Sequence, residues 1–352
     1  MDVPEAQDIP DSTVEELCRL VDPEWELERT DPAERGFCSV YRVVLASDGV
    51  PQDRYLKVSP DGGRWGIPDE ARVQAVLDAH TSIPVPEVYG VVDDHNDLPS
   101  PFYLMQALPG EELAYECVSR FDDHVLRRLA RETGEYLGEL HSVPAVDRFG
   151  HVRHDDSDRC GGAPDGDPTT LTVGDPYETW PVSLRAYLDR ELDRHADSPF
   201  AVLTSELREW FSDGISDVVG PFEPVLGRND HGLHNLLIDP DTGAITGMLD
   251  WGYTLAVPAA FDFEFAVYLY SGAFLAGVPA VSDRRSLVRE AMLEGYRTTA
   301  PDRVEAVSSP EPLYEVVAMV RIMNDFQHLS VPNGAEEAAI DRIRADVRAL
   351  IE

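Results

Sequence analysis

The sequence predicts an α+β chain in two lobes, a small strand-rich lobe over residues 1–108 and a larger helical lobe over 109–352. Three observations carry that expectation. Short alternating runs of β-branched and polar residues crowd the amino-terminal part, the turn pair Pro109-Gly110 follows the last of them, and helical spacing dominates beyond it. A length of 352 residues suits about two lobes, and an apolar fraction of 43% is ample for their cores.

An acidic helix near Asp11–Leu20 precedes the strands. Val40–Ala46 and Tyr55–Val58 alternate as half-buried strands do, and Ser47-Asp48-Gly49 begins the turn between them. Pro68-Asp69-Glu70 opens a helix toward His80, with acids in its first turn and Val73, Val76 and Leu77 at helical spacing. Val88–Val92 and Pro101–Leu108 resume strand character. Helices are then expected at Asp122–Leu140, Val182–Ala196, Glu206–Val218 and through most of the chain after Asp262. The stretch His154–Thr170, rich in aspartate, glycine and proline, is the best candidate for a mobile surface segment. Leu236–Asp239 and Ile245–Leu249 read as a hairpin around Pro240-Asp241-Thr242-Gly243, which would bring Asn235 close to Asp250.

Charge bounds the partners. With 66 acids against 29 bases the formal charge is −37, and the acids are spread along the whole chain. Such a surface repels nucleic acid and anionic membranes, so neither is expected as a partner. An acidic surface combined with lysine depletion resembles proteins of salt-accumulating halophiles, where concentrated cations screen self-repulsion. Cys18, Cys38, Cys117 and Cys160 lie far apart with no C-x-x-C pair, so neither zinc nor a disulfide framework is expected. The amino terminus has no basic and apolar leader, and the uncharged stretch Phe265–Ser282 is interrupted by glycine and proline, reading as a core helix and its turn. A cytoplasmic protein is the expectation.

Among 29 lysines and arginines, Lys57 is the only lysine. An ammonium is a compact point charge and a guanidinium a planar fork, so a chain that keeps one lysine in a strand has reason to need the ammonium there. Further along, Asp230 and Asn235 stand in D-x-x-x-x-N spacing, and Asp250 ends the second strand of the expected hairpin. The segment Asp230–Asp262 resembles the aminoglycoside phosphotransferase, or phosphotransferase enzyme, family, whose members share the protein-kinase-like fold. The resemblance continues in order through Tyr55-Leu56-Lys57-Val58-Ser59-Pro60, Glu70-Ala71, Ile83-Pro84-Val85-Pro86-Glu87-Val88, Pro101-Phe102-Tyr103-Leu104-Met105-Gln106 and Leu137-Gly138-Glu139-Leu140-His141-Ser142. It covers the chain from Gly36 to Tyr270.

The resemblance implies a bilobal kinase-like fold and an ATP-dependent phosphotransferase that acts on a hydroxyl of a small molecule, with Mg2+. Lys57 would contact the α- and β-phosphates and be held by Glu70. The turn Glu34-Arg35-Gly36-Phe37-Cys38-Ser39, with Ser39 at its end, would cover the phosphates in place of a glycine-rich loop. Gln106 to Leu108 would present backbone to adenine. Asp230 would be the catalytic base, Asn235 and Asp250 the magnesium ligands, and Asp262 a buttress of the catalytic loop.

One departure stands out. The family writes His-Gly-Asp at the catalytic aspartate, whereas this chain has Arg228-Asn229-Asp230. Placing His231-Gly232 on that motif would put Leu233 at the base and Ile238 at the asparagine, so Asp230 is the consistent register. The missing histidine bears on support of the loop more than on its chemistry. His231 and His234 have no zinc-spaced partner and read as loop-packing residues, His141 as a core or capping residue, and Trp251 as a packing anchor. Two other functions are weighed against the enzyme: a catalytically silent nucleotide-binding regulator of the same fold, and an atypical protein kinase. The intact Lys57, Asp230, Asn235 and Asp250 favour an enzyme. The poor glycine loop and the absence of Ala-Pro-Glu after Asp250 disfavour a protein kinase.

Overall fold

The computed structural model describes residues 9–33, 38–59, 66–113, 121–155, 161–275, 282–329, 331 and 334–352. The chain opens with helix α1 (Asp11–Val21), followed by β1 (Glu26–Pro32), β2 (Ser39–Ser47), β3 (Val50–Val58), helix α2 (Ile67–His80), β4 (Val88–Val92) and β5 (Phe102–Gln106). These strands form one antiparallel sheet in the order β1-β2-β3-β5-β4.

Alternation along the strands decides what each face meets. Leu56 and Val58 of β3, with Phe102 and Leu104 of β5, pack in one buried cluster with Val14 and Leu17 of α1. Tyr103, from the opposite face, packs with Ile67 and Ala71 of α2. Lys57 lies between Leu56 and Val58 and pairs with Tyr103, so it belongs to the face that meets α2. The β2–β3 turn is the two-residue Asp48-Gly49, both at positive φ (52° and 73°), the geometry that matches the twist of a tight hairpin. Because the turn is that short, β3 starts at Val50 and not at Tyr55. Its first four residues are exposed and give no apolar alternation to detect.

Beyond the short β6 (Glu111–Glu112) come α3 (Asp123–Leu140), β7 (Phe149–His154), β8 (Leu171–Tyr177), α4 (Trp180–His195), α5 (Thr204–Ser216) and β9 (Val225–Gly227). Then follow β10 (Leu236–Ile238), β11 (Ile245–Met248), β12 (Leu255–Val257), α6 (Ala259–Ser271), α7 (Arg285–Thr299), α8 (Val304–Ser308), α9 (Pro312–Asp325) and α10 (Glu336–Ile351). Two small sheets, β11-β10-β6 and β8-β7-β12-β9, sit among these helices. The large core gathers around α6, every described residue of which is buried except Ala260. The result is the expected α+β architecture, sheet first and helices after.

Strands β1, β7, β8, β9 and β12 were not expected. β1 reads Glu-Leu-Glu-Arg-Thr-Asp-Pro and has no buried residue, and β9 and β12 are only three residues long. Part of the segment expected to be mobile is docked. Gly161 and Gly162 exchange backbone hydrogen bonds with Val91 of β4 at 3.0 and 3.1 Å, and the carbonyl of Gly166 lies 3.1 Å from His80 Nε2 at the end of α2. Residues 156–160 lie outside the described part.

Candidate active site

Lys57 points from β3 toward α2, where Glu70 is buried one turn in from the helix start. Nζ lies 2.7 Å from Glu70 Oε2 and 3.5 Å from Asp250 Oδ1, which joins positions 57, 70 and 250 of the sequence at one point. Burial works against the ammonium, but Asp250 and Glu70 outweigh it and hold the Lys57 pKa well above the usual lysine value. Burial raises Glu70, with Lys57 opposing. Lys57 lowers Asp250 against a smaller effect of burial. Gln74 and Tyr103 close the back of Glu70: the Gln74 amide is 3.4 Å from both Glu70 Oε1 and the Tyr103 hydroxyl.

The start of α2 also touches the Asp250 loop directly. Gly66, at φ 78°, caps the helix where a Cβ would stand 2.7 Å from the Gly252 carbonyl. Only glycine combines that left-handed conformation with so close an approach. Asp250 itself is at φ 60°, a conformation that turns its carboxylate out of the β11 strand path toward Lys57.

Asp230 follows β9 in a tight loop. Its N–H donates to the Arg228 carbonyl (2.8 Å), and its Oδ1 accepts from Gly232 N–H (3.2 Å), which leaves a half-buried carboxylate with a fixed bearing. Asn235 is buried five residues on. Leu249 N–H donates to the Asn235 carbonyl at 2.8 Å, so the loop carrying Asp230 and the loop carrying Asp250 are tied at that point.

Two buried side chains support these loops. Asp262 accepts from Asn229 N–H (3.2 Å) and stands 2.8 Å from His231 Nε2 and 3.1 Å from His141 Nε2; His141 Nδ1 in turn meets the Tyr296 hydroxyl at 3.0 Å. Burial opposes its charge, yet His231 and His141 hold the Asp262 carboxyl far below the ordinary carboxylate range. Arg228, almost fully buried, reaches the carbonyls of Asn235 and Leu249 and stacks 4.9 Å over the Trp251 ring. The arginine in the position of the family's histidine therefore stitches the two loops together. His231, one residue after the aspartate, makes a contact to Asp262. Its adjacency to Asp230 was the available signal, but one histidine in a loop specifies no partner.

The remaining expected residues are placed as follows. Ser39 is buried at the first position of β2, opposite Val58. Residues 34–37 of the expected phosphate-covering turn lie outside the described part. Gln106 ends β5, and its N–H already donates to the Glu87 carbonyl at 2.9 Å. Beyond Leu108, the Pro109 carbonyl accepts from the Thr246 hydroxyl at 2.6 Å, and β6 pairs with β10, fastening the crossing strand to the hairpin between Asn235 and Asp250.

Sequence reading missed a charged network that α4 and α9 place beside Asp230. Arg194 bonds Glu191 (3.1 Å) and Asp325 (2.8 Å), Arg321 bonds Asp325 (2.8 Å), and the Asn324 amide donates to Glu191 Oε2 (2.7 Å). Burial lowers the Arg321 pKa, but Asp325, Tyr187, Glu191 and Asp230 together carry it above the usual arginine range. The Tyr187 hydroxyl donates to Asn229 Oδ1 at 3.3 Å. No motif spans positions 187 to 325, and only the helix packing joins them.

A strand-borne lysine held by a helix glutamate, with the Asp230–Asn235 and Asp250 loops joined beneath a strand crossover, defines the protein-kinase-like class of phosphotransferase folds. The phosphotransferase enzyme family matches residues 33–307, and the chain belongs to that family. Among solved structures, a putative aminoglycoside phosphotransferase from Ralstonia eutropha JMP134 superposes with a TM-score of 0.61 at 14% identity, covering 98% of this chain and 97% of that one. The GDP and kanamycin complex of APH(2")-IIia gives 0.57 at 15% identity, over 95% and 98%. A thermostable mutant of aminoglycoside phosphotransferase APH(4)-Ia, in a ternary complex with ADP and hygromycin B, gives 0.57 at 14%, over 96% and 98%. At such identities the likeness is one of fold. No curated protein matches the sequence.

Proposed function

We propose that the chain transfers the γ-phosphoryl group of ATP to a hydroxyl of a small molecule, with residues 1–108 as the nucleotide lobe and 109–352 as the acceptor lobe. The observation that carries this reading is the convergence of Lys57, Glu70 and Asp250 within 2.7 and 3.5 Å of the lysine nitrogen, over the loop that holds Asp230 and Asn235. Lys57 would grip the α- and β-phosphates, and Glu70 would keep its stem from wandering. Since the Gln106 N–H is engaged, adenine would pair with backbone at Ala107 and Leu108. Ser39 would border the phosphates at the mouth of the β2 strand.

Asp230 is held by backbone on both sides, so with the acceptor hydroxyl beside it the carboxylate would take the proton as the oxygen attacks. The donor set suits a hard cation. Asp250 offers a carboxylate kept ionised by Lys57, and the buried Asn235 side-chain amide, whose oxygen and not its nitrogen could ligate a cation, makes no hydrogen bond among the described residues. Mg2+ keeps several waters and leans on substrate phosphates, so one carboxylate and one amide oxygen would be enough protein ligands for it. Bound there by Asn235 and Asp250, Mg2+ would neutralise phosphate charge. Asp262 would serve as the buttress of the loop. The acidic surface, in this reading, is that of a protein working in concentrated salt.

Asp230→Asn tests the assignment. With an acceptor found by an ATP-consumption screen of hydroxyl metabolites in molar KCl, kcat should fall about 10²–10⁴-fold while ATP affinity stays within about twofold. Full activity in the variant would show that another group is the base.

A further inference from the structure

Between the β7–β8 hairpin, β12 and the start of α4 lies a cavity of about 140 Å³. Its lining carries the titratable groups His151, Arg153, Arg190 and one acid, Asp175, with Ser183 beside them, in a chain where acids outnumber bases 66 to 29. Arg153 is partly committed to Asp69 at 3.1 Å, whereas the Arg190 guanidinium and the His151 ring have no side-chain hydrogen bond or ion pair among the described residues. Burial, with Arg153 and Arg190 nearby, pushes His151 down to about 4, so at neutral pH it offers a hydrogen bond and not a charge. Counting Asp69 with Asp175, the two arginines meet two aspartates, and the cation without a side-chain partner among the described residues is Arg190, which is itself exposed. The rest of the wall is aromatic, with Tyr177, Trp180, Tyr187 and Phe261. The volume suits one ring, since a cavity of about 150 Å³ holds benzene, and it falls well short of the roughly 300 Å³ or more of a drug-sized site.

We propose that this cavity binds a small organic anion, its acid group held by Arg190 and Arg153 with His151 and its apolar body against Trp180 and Tyr187. The charge is opposite to that of a polycationic acceptor. Acids near Asp230 do not restore a cationic preference, because Glu191 and Asp325 are engaged by Arg194 and Arg321. Tyr187 is shared: it lines the cavity and bonds Asn229, the neighbour of Asp230. The anion therefore has two possible sources, the acid end of the acceptor itself or a separate metabolite that reports to the catalytic loop through Tyr187.

The test compares three one-ring probes of the same shape, 4-hydroxyphenylacetate, its neutral amide and the amine tyramine, by calorimetry on the whole chain in molar KCl without nucleotide. Binding read this way does not depend on the phosphotransferase reading. The carboxylate should bind about tenfold tighter than the amide, the worth of one charge-assisted contact, and tyramine weakest of all. Arg190→Gln should bring the carboxylate down to the level of the amide, while Arg348→Gln, on the far helix α10, should leave all three unchanged. Equal affinities, a preference for the amine, absence of carboxylate binding, or an unaltered Arg190→Gln variant would overturn the proposal. With ATP and Mg2+ added, ADP release matched to loss of free phenol assigns the site to the acceptor. Binding with ADP release unmatched to loss of the phenol assigns it to a separate metabolite.

Discussion

Around Lys57 one ammonium faces two carboxylates, Glu70 at 2.7 Å and Asp250 at 3.5 Å, while on the other side of the Asp230 loop Glu191 and Asp325 face Arg194 and Arg321 in equal number. The first group is left with a surplus negative charge, and the second is balanced. On the proposed reading, in which Lys57 grips phosphate, the surplus carboxylate would be ready for a cation that arrives with the nucleotide. The balanced network needs no ligand charge to complete it, and its helices fix the geometry around Asp230. On that reading the difference separates a site that would bind by charge from a wall that would position by packing.

The largest effect should come from breaking the charge-bearing end. Lys57→Ala should lower kcat/KM about 10²–10³-fold, the usual cost of removing one group aimed at developing charge. Lys57→Arg should be nearly as damaging, because a forked guanidinium fits poorly in a point-charge site against Glu70. Glu70→Gln should cost less than either, since it loosens the lysine without removing it. Steady-state kinetics at saturating acceptor checks the order; normal turnover in Lys57→Arg would place Lys57 outside the phosphate site.

A smaller effect, on stability more than on chemistry, is expected at Asp262. Asp262→Ala leaves His141, His231 and the Asn229 N–H without their acceptor, and should cost about 3–5 kcal/mol by urea unfolding. The Asp262 carboxyl titrates lower in the folded chain than in the unfolded one, where it lies near about 3.9. Its contribution is thus complete above that value and drains away as pH falls below it. Unfolding curves of the parent and the variant should converge in acid. A pH-independent gap between them would assign the loss to packing alone.

Salt should touch the paired sites least and the exposed surface most. Between molar and tens-of-millimolar KCl the longer Debye length raises repulsion among 66 acids, so the thermal midpoint should fall and circular dichroism should show loss of structure at the low end. Lys57 and Glu70 are largely shielded from solvent, and their pairing should survive until the fold is lost. Unchanged midpoints across the range would argue against a surface adapted to salt.

Much of this architecture could be read before the structure. The α2 helix, β2, β4 and β5 announce themselves by apolar period, and Lys57, Asp230, Asn235 and Asp250 by identity and spacing. What stayed hidden has physical reasons. β1 is an exposed edge strand without an apolar face, and three-residue strands such as β9 and β12 carry too few residues to show a period. The support of the loops was only half visible: Arg228 was noticed as a substitution, but its reach to two carbonyls depends on a hairpin closing over it. Tyr187 meets Asn229, and Arg321 comes under the charge of Asp230, only through the packing of α4 on α9, which no local pattern encodes.

Because Lys57 is the only lysine, one measurement bears on the central assignment without ambiguity. An ATP acyl-phosphate should acylate a single side chain, Lys57, and excess ATP with Mg2+ should abolish the labelling, read by mass spectrometry of the intact and digested chain in molar KCl. Labelling of Lys57 that ATP leaves untouched would contradict the phosphate-gripping role and, with it, the nucleotide site built on Glu70 and Asp250.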